Sequence, residues 1–295
     1  MTLNWSGAAR ITLGEERLYW LASHWGTFEA LGATTHVLGA GDFGFVLRTR
    51  DGNVMKFTEE AAEANAVQFI EDIRADLQCA EGDCTGCLAG FPFVKSLWQL
   101  PSSFAGEDIR YLIVREDVQP LIESERDDWT DALTYETPRW GGRGLALVFG
   151  DEPYFRISSD FDALSDTPIM ETDAPYVLYL KATKAYSRYK RNAEMRDLLN
   201  AYIDLALNQI TNYAPVIGES LDTLWTNYGI SIQDMHGHNV GHGRSNPCRE
   251  KDDYVFYDYM IYNFADHEEP DVPFLQSNPA RRPIPKRSRI PLLSI

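Results

Sequence analysis

The chain has 295 residues, 44% of them hydrophobic and 12% aromatic, with a formal net charge of −17 at neutral pH. That is enough apolar material for one large domain or for two lobes around a cleft, and it excludes global disorder. Five basic residues and no acid fall between Pro279 and Ile295, so the remainder carries −22, a body that repels nucleic acid and anionic membranes.

Met1–Arg10 lacks a basic segment followed by an apolar stretch, and no apolar run reaches membrane-spanning length. With the four cysteines Cys79, Cys84, Cys87 and Cys248, the expectation is a reduced, cytoplasmic protein. Residues 15–31 read as a helix anchored by Tyr19, Trp20, Trp25 and Phe28. From Thr35 to Thr58 the pattern is strand-like, interrupted by the Asp51-Gly52 turn signal. Apolar residues at 62, 66, 69, 70, 73 and 77 predict a helix over Ala61–Leu77. A loop over Cys79–Gly90 then leads to expected strands at Phe91–Leu100 and Ile109–Val118.

Residues 122–173 are acidic, aromatic and turn-rich and are left unassigned, as an insertion or a connection. Helices are expected over Pro175–Tyr213, with a break, and over Ser220–Tyr228, closed by Gly229 as C-cap. Short strands follow at Ile230–Gly243 and Tyr254–Met260, separated by a polar turn. From Glu268 the Pro/Arg-rich sequence suggests an extended or disordered tail.

Five stretches of this layout carry phosphate chemistry. Gly39-Ala-Gly41-Asp-Phe-Gly44-Phe-Val46 lies inside a predicted hairpin, where a glycine loop can cover phosphates as a lid. Lys56 sits ten residues after Val46 with strand neighbours, placed to neutralise phosphate oxygens. Its expected partner is Glu63, which shares a helical stripe with Val67 and Ile70; Glu59, Glu60 and Glu71 are the alternatives. In Gly-Ile-Ser-Ile-Gln-Asp234-Met-His-Gly-His-Asn239, an acid five residues before an asparagine can face an acceptor hydroxyl while the amide reaches a metal. Asp258 closes an apolar run as a second metal-binding acid, and magnesium needs few protein oxygens. An acidic body repels ATP, so such a site must gather positive charge locally.

These residues resemble the protein-kinase-like superfamily over most of residues 35–262. Gly39, Gly41, Gly44 and Val46 match its glycine-rich loop, and Lys56 its ATP-positioning lysine. Asp234 and Asn239 match the catalytic-loop pair, and Asp258 the magnesium-binding acid. Tyr111–Val118 resembles the strand leading to the hinge, where backbone groups of Glu116 and Val118 would meet adenine. The departures matter too. Ile232 stands where protein kinases have the histidine of H-R-D, Tyr259-Met260 replaces Phe-Gly, and no A-P-E-like segment follows Asp258. The loop Asp234-Met-His-Gly-His-Asn239 is closer to the D-x-H-x-x-N of aminoglycoside-phosphotransferase-like kinases.

The resemblance implies an α+β, bilobal kinase-like fold with a strand-rich N-lobe and a reduced, mainly helical C-lobe. In that layout residues 1–34 form a helical extension, 35–118 the N-lobe and 119–267 the C-lobe with an insertion around 122–173, and 268–295 a tail. It further implies ATP and Mg²⁺ as cofactors, and as partner a phosphoacceptor that is a protein (the chain itself included) or a small molecule. A pseudokinase acting as a binding module is the non-enzymatic alternative. Outside this set, Cys79, Cys84 and Cys87 with Cys248 or a histidine could bind zinc, and His236, His238 and His242 another metal. Lys181, Lys184, Arg188 and Arg191 form a basic stripe, read as a solvated face or a partner patch. The tail could dock a partner or present Ser288 for self-phosphorylation.

Overall fold

The computed structural model describes residues 4–5, 15–41, 43–77, 87–101, 109–134, 146–149, 152–156, 173–189, 193–233, 235–261 and 288–293. The fold is α+β, with a sheet of five antiparallel strands extended by one short parallel strand, and seven α-helices among the described residues. No helix among these residues is long and apolar enough to cross a membrane. The chain divides into two compact units. One comprises Met1–Ile73, Pro92–Asp117 and Lys286–Ile295; the other comprises Arg74–Phe91 and Val118–Pro285.

The first unit is built on a sheet of β1 (Asn4–Trp5), β2 (Ala33–Gly41), β3 (Gly44–Thr49), β4 (Val54–Thr58), β5 (Val94–Gln99) and β6 (Tyr111–Arg115), in the order β1-β2-β3-β4-β6-β5. Strand alternation sends Phe45, Leu47, Met55, Phe57, Leu112 and Val114 to one buried face. Helices α1 (Glu15–Ser23) and α2 (Trp25–Ala30) cover that face. They are one predicted helix broken at His24, whose backbone N–H and ring Nδ1–H both donate to the Trp20 carbonyl. Phe45 stacks on Phe57 at 4.6 Å, and Phe28 meets Phe57 edge-on at 4.7 Å. Each such buried phenylalanine contributes about 1.5–3 kcal/mol. Trp20, Leu21 and Phe28 of these helices therefore belong to the core of this unit.

The end of the Pro/Arg-rich stretch packs on this sheet where the chain is described. Gln99 donates its N–H to Pro291 and accepts one from Leu293, each at 2.9 Å, so residues 291–293 bridge in parallel to the end of β5. Leu293 is buried with the sheet's core cluster, and its burial offsets the entropy lost on fixing the segment there. Residues 268–287 lie outside the described residues.

In the second unit, β11 (Val240–His242) pairs antiparallel with β7 (Gln119–Pro120) and β12 (Tyr254–Phe256), and β10 (Ile232–Gln233) pairs with β13 (Met260–Ile261). Within the stretch left unassigned from sequence, α4 (Glu123–Leu133) and a hairpin of β8 (Ala146–Phe149) and β9 (Glu152–Arg156) form. The Glu125 carboxylate reaches back to the Ile122 N–H at 2.9 Å and caps α4. The long predicted helix is two, α5 (Pro175–Tyr189) and α6 (Ala193–Tyr213). Next comes α7 (Pro215–Tyr228), which starts five residues before the predicted position because Pro215 suits the first helical turn. Gly229 ends it at φ 72°, the left-handed geometry expected of a C-cap.

Lys181 departs from expectation. It is 2% exposed and pairs with Asp173 at 2.9 Å, so it faces inward on α5 and is not part of a solvated basic face. Arg191 lies outside the described residues.

Candidate functional site

The residues of the first unit expected to handle phosphate fall into one cross-strand row. Gly39 on β2 stands opposite Val46 on β3, Val46 opposite Lys56 on β4, and Lys56 opposite Ile113 on β6. Directly opposed residues of an antiparallel pair share a face, so this row lies on the side of the sheet away from the aromatic core. Val46 and Lys56 are half-buried there. Helix α3 (Ala61–Asp76) brings Glu63 to the same side, with Oε1 2.5 Å from Lys56 Nζ. Glu63 is the partner sequence spacing selects over Glu59, Glu60 and Glu71. The contact is close but off the hydrogen-bond axis, since Oε1 makes no aligned hydrogen bond, and it acts as an ion pair. Both side chains are largely withdrawn from water, at 15% and 4% exposure, so screening is weaker than for a surface pair.

The glycines of the hairpin are not equivalent. Gly41 pairs with Gly44 across the tip, which carries the exposed Phe43. A Cβ on Gly44 would collide with the Phe57 carbonyl group of β4, so close strand approach alone requires glycine there. A Cβ on Gly39 would meet nothing within 4 Å among the described residues. Packing gives no reason for glycine at 39.

At the expected adenine-contacting stretch, the Glu116 N–H donates to the Phe93 carbonyl at 3.0 Å, and the Glu116 carboxylate accepts the Phe93 N–H at 3.1 Å. The backbone N–H of Glu116 is therefore committed, and only its carbonyl can serve the adenine reading. Val118 is buried.

The second unit holds the acid and amide positions. Asp234 itself lies outside the described residues, but the backbone on both sides of it is fixed. The buried Tyr176 hydroxyl donates to the Ile232 carbonyl at 3.2 Å and accepts the Met235 N–H at 3.1 Å. Trp129 Nε1–H, from α4, donates to the Met235 carbonyl at 3.3 Å. A 3₁₀ turn (Gly237–Asn239) follows, packed so closely on Arg126 that a Cβ on Gly237 would meet its side chain at 3.2 Å. Arg126 also donates to His238 Nδ1 at 3.0 Å.

Asn239 and Asp258 are brought together by main chain. The Asn239 carbonyl accepts the N–H groups of Tyr257 and Asp258 at 2.9 and 3.4 Å. The Asn239 amide is buried against His236 Nε2 at 3.2 Å. His236 Nδ1 accepts the His238 N–H at 3.2 Å. The amide atom facing His236 Nε2 is the nitrogen Nδ2, so the oxygen Oδ1 lies on the other branch of the amide. Oδ1 is an acceptor with two lone pairs and can ligate a cation. With the Asp258 carboxylate it offers two hard oxygen donors, a set that fits magnesium completed by phosphate and water.

Three or more histidine, cysteine or acidic groups converging on a metal-sized space do not occur among the described residues. Cys87 is buried and Cys248 half-buried. Cys79 and Cys84 lie outside the described residues. His242 is held by Glu125 at 3.3 Å and the Asp252 carbonyl at 3.0 Å, which gives it a structural job on α4 and the polar turn.

Comparison with family models, curated proteins and solved structures finds no match. The residues that sequence reasoning missed are Tyr176, Trp129, Arg126 and His236 in its positioning role. An aromatic in a helix pattern reads as core, and nothing in spacing marks a hydroxyl that spans a loop from 56 residues away.

Proposed function

We propose that this protein is an ATP- and magnesium-dependent phosphotransferase acting on hydroxyl groups, its two units being the N-lobe and C-lobe of a kinase-like fold. The observation that carries this reading is the inward Lys56–Glu63 pair at 2.5 Å, set in one row with Gly39 and Val46. A half-buried ammonium held by a carboxylate beneath a glycine hairpin suits triphosphate oxygens. In this reading Lys56 neutralises the phosphates and Glu63 holds it in place, while the hairpin Gly39–Gly44 covers them. Asn239 Oδ1 and the Asp258 carboxylate hold magnesium, which supplies neutralisation of developing phosphate charge. Asp234 orients the acceptor hydroxyl and takes its proton, kept in register by the anchors at Ile232 and Met235. Most of the acceleration comes from positioning and charge, because the transition state is loose.

The acceptors we favour are protein hydroxyls, the chain's own included. A small-molecule acceptor is the second reading, supported by the D-x-H-x-x-N loop. The test is incubation of the purified chain with radiolabelled ATP and magnesium, with and without cell extract. Label on protein supports the first reading and label on metabolites the second; nucleotide bound with no label transferred would leave a pseudokinase. Asp234→Ala should cost on the order of 10²-fold or more in turnover with ATP binding retained.

A further inference from the structure

The segment Ser288–Leu293 is held at two points of the first unit. Its far end bridges β5 through Gln99 and buries Leu293. At its near end the Ser288 N–H donates to Asp72 Oδ2 on α3 at 2.8 Å. Asp72 is 8% exposed, and Gln68 holds its other oxygen at 3.1 Å, so the carboxylate cannot swing away from Ser288 without losing that bond. Ser288 itself is exposed.

From this geometry we infer that Ser288 is a phosphoacceptor whose modification releases the 288–293 strap from α3 and β5. The reaction transfers the terminal phosphoryl group of a nucleoside triphosphate to Ser288 Oγ. The new O–P bond forms as the bond to the departing diphosphate breaks, and the hydroxyl proton goes to the catalytic base. The chemistry rests on the function proposed above; the mechanics do not. A phosphoserine brings close to two negative charges onto a residue whose backbone N–H is bound to the nearly buried Asp72 carboxylate. Like charges there oppose the bond at its anchor, whereas the neutral serine accepts it. Arg289, the next residue, is exposed, and water screens its charge. The strap then leaves the end of β5 uncovered and frees the helix that also carries Glu63.

Two measurements on the full chain test this. After incubation with ATP and magnesium, peptide mass spectrometry should find phosphate on Ser288. Phosphate confined to other hydroxyls, or none at all, overturns the inference. Separately, hydrogen exchange should show Ser288→Glu raising the rates of the Leu293 and Gln99 amides by about tenfold, with Ser288→Ala unchanged. Adding Asp72→Asn removes the opposing charge while keeping an acceptor oxygen, so the double variant should regain slow exchange. Unchanged exchange in Ser288→Glu overturns the inference, as does a uniform rise across the whole chain. Wild-type chain that binds no ATP would sink the phosphotransferase reading, and the exchange data would still judge the strap.

Discussion

Lys56 and Glu63 form one ion pair, and on the phosphotransferase reading their substitutions should behave as one. Glu63→Gln leaves the ammonium without its counter-charge, and Lys56→Met leaves a carboxylate that is 4% exposed without its partner. Either change should lower kcat/KM by a similar factor, and the double variant should be little worse than the poorer single one. Steady-state kinetics of the four proteins checks this; additive losses would mean that the residues act separately. The glycines give a sharper contrast. Gly44→Ala forces a methyl into the Phe57 carbonyl and should destabilise the protein by about 1–3 kcal/mol in denaturant titrations. Gly39→Ala should leave stability within about 0.5 kcal/mol while weakening ATP binding.

At the scale of elements, the loop around Asp234 is set by helices distant in sequence. Tyr176→Phe on α5 strips two bonds from buried main chain, at Ile232 and Met235. It should cost about 2–3 kcal/mol of stability and lower kcat more than it weakens nucleotide affinity. On the same helix, burial pulls the Lys181 ammonium below the ordinary lysine range, and Asp173 pushes it back up. Because the folded value is depressed, the unfolded chain binds the proton more readily, and stability rises with pH towards the usual value near 10.5. Asp173→Ala should cost about 3–5 kcal/mol at neutral pH, a loss that shrinks at alkaline pH as the lysine sheds its proton.

What was legible in the sequence follows from how local each signal is. The β2–β3–β4 run shows in alternation and in Asp51-Gly52, α3 in its stripe, and the end of α7 in a glycine with φ 72°. Glu63 could be chosen because a helix fixes which positions share a face. The roles of Tyr176 and Trp129 depend on contacts across 56 and 106 residues, and no local pattern encodes them. Lys181 misled because a basic stripe at helical spacing looks the same whether one member faces water or Asp173. The charged composition of 123–133 hid α4, whose inward side rests on Trp129 and Leu133.

For the whole molecule, the acidic balance of −17 opposes any nucleotide approaching from solution, so binding depends on short-range contacts. Raising ionic strength from about 10 mM to about 150 mM shortens the Debye length from about 30 Å to about 8 Å. That should tighten Mg·ATP binding, since long-range repulsion is screened while the partly buried Lys56 is screened far less. Titration calorimetry across that range checks it; a steep weakening with salt would point to an exposed basic site elsewhere.

The asymmetry between the two glycines reaches beyond this one chain. On the phosphotransferase reading, a lineage without phosphate chemistry would be at liberty to drift at position 39, since an added methyl there meets nothing within 4 Å among the described residues. Position 44 would stay frozen, because a neighbouring strand polices it whether or not a ligand is ever bound. Loss of the first glycine with retention of the third would thus mark a relic scaffold, and a signature search that weighs the two equally would miss the difference.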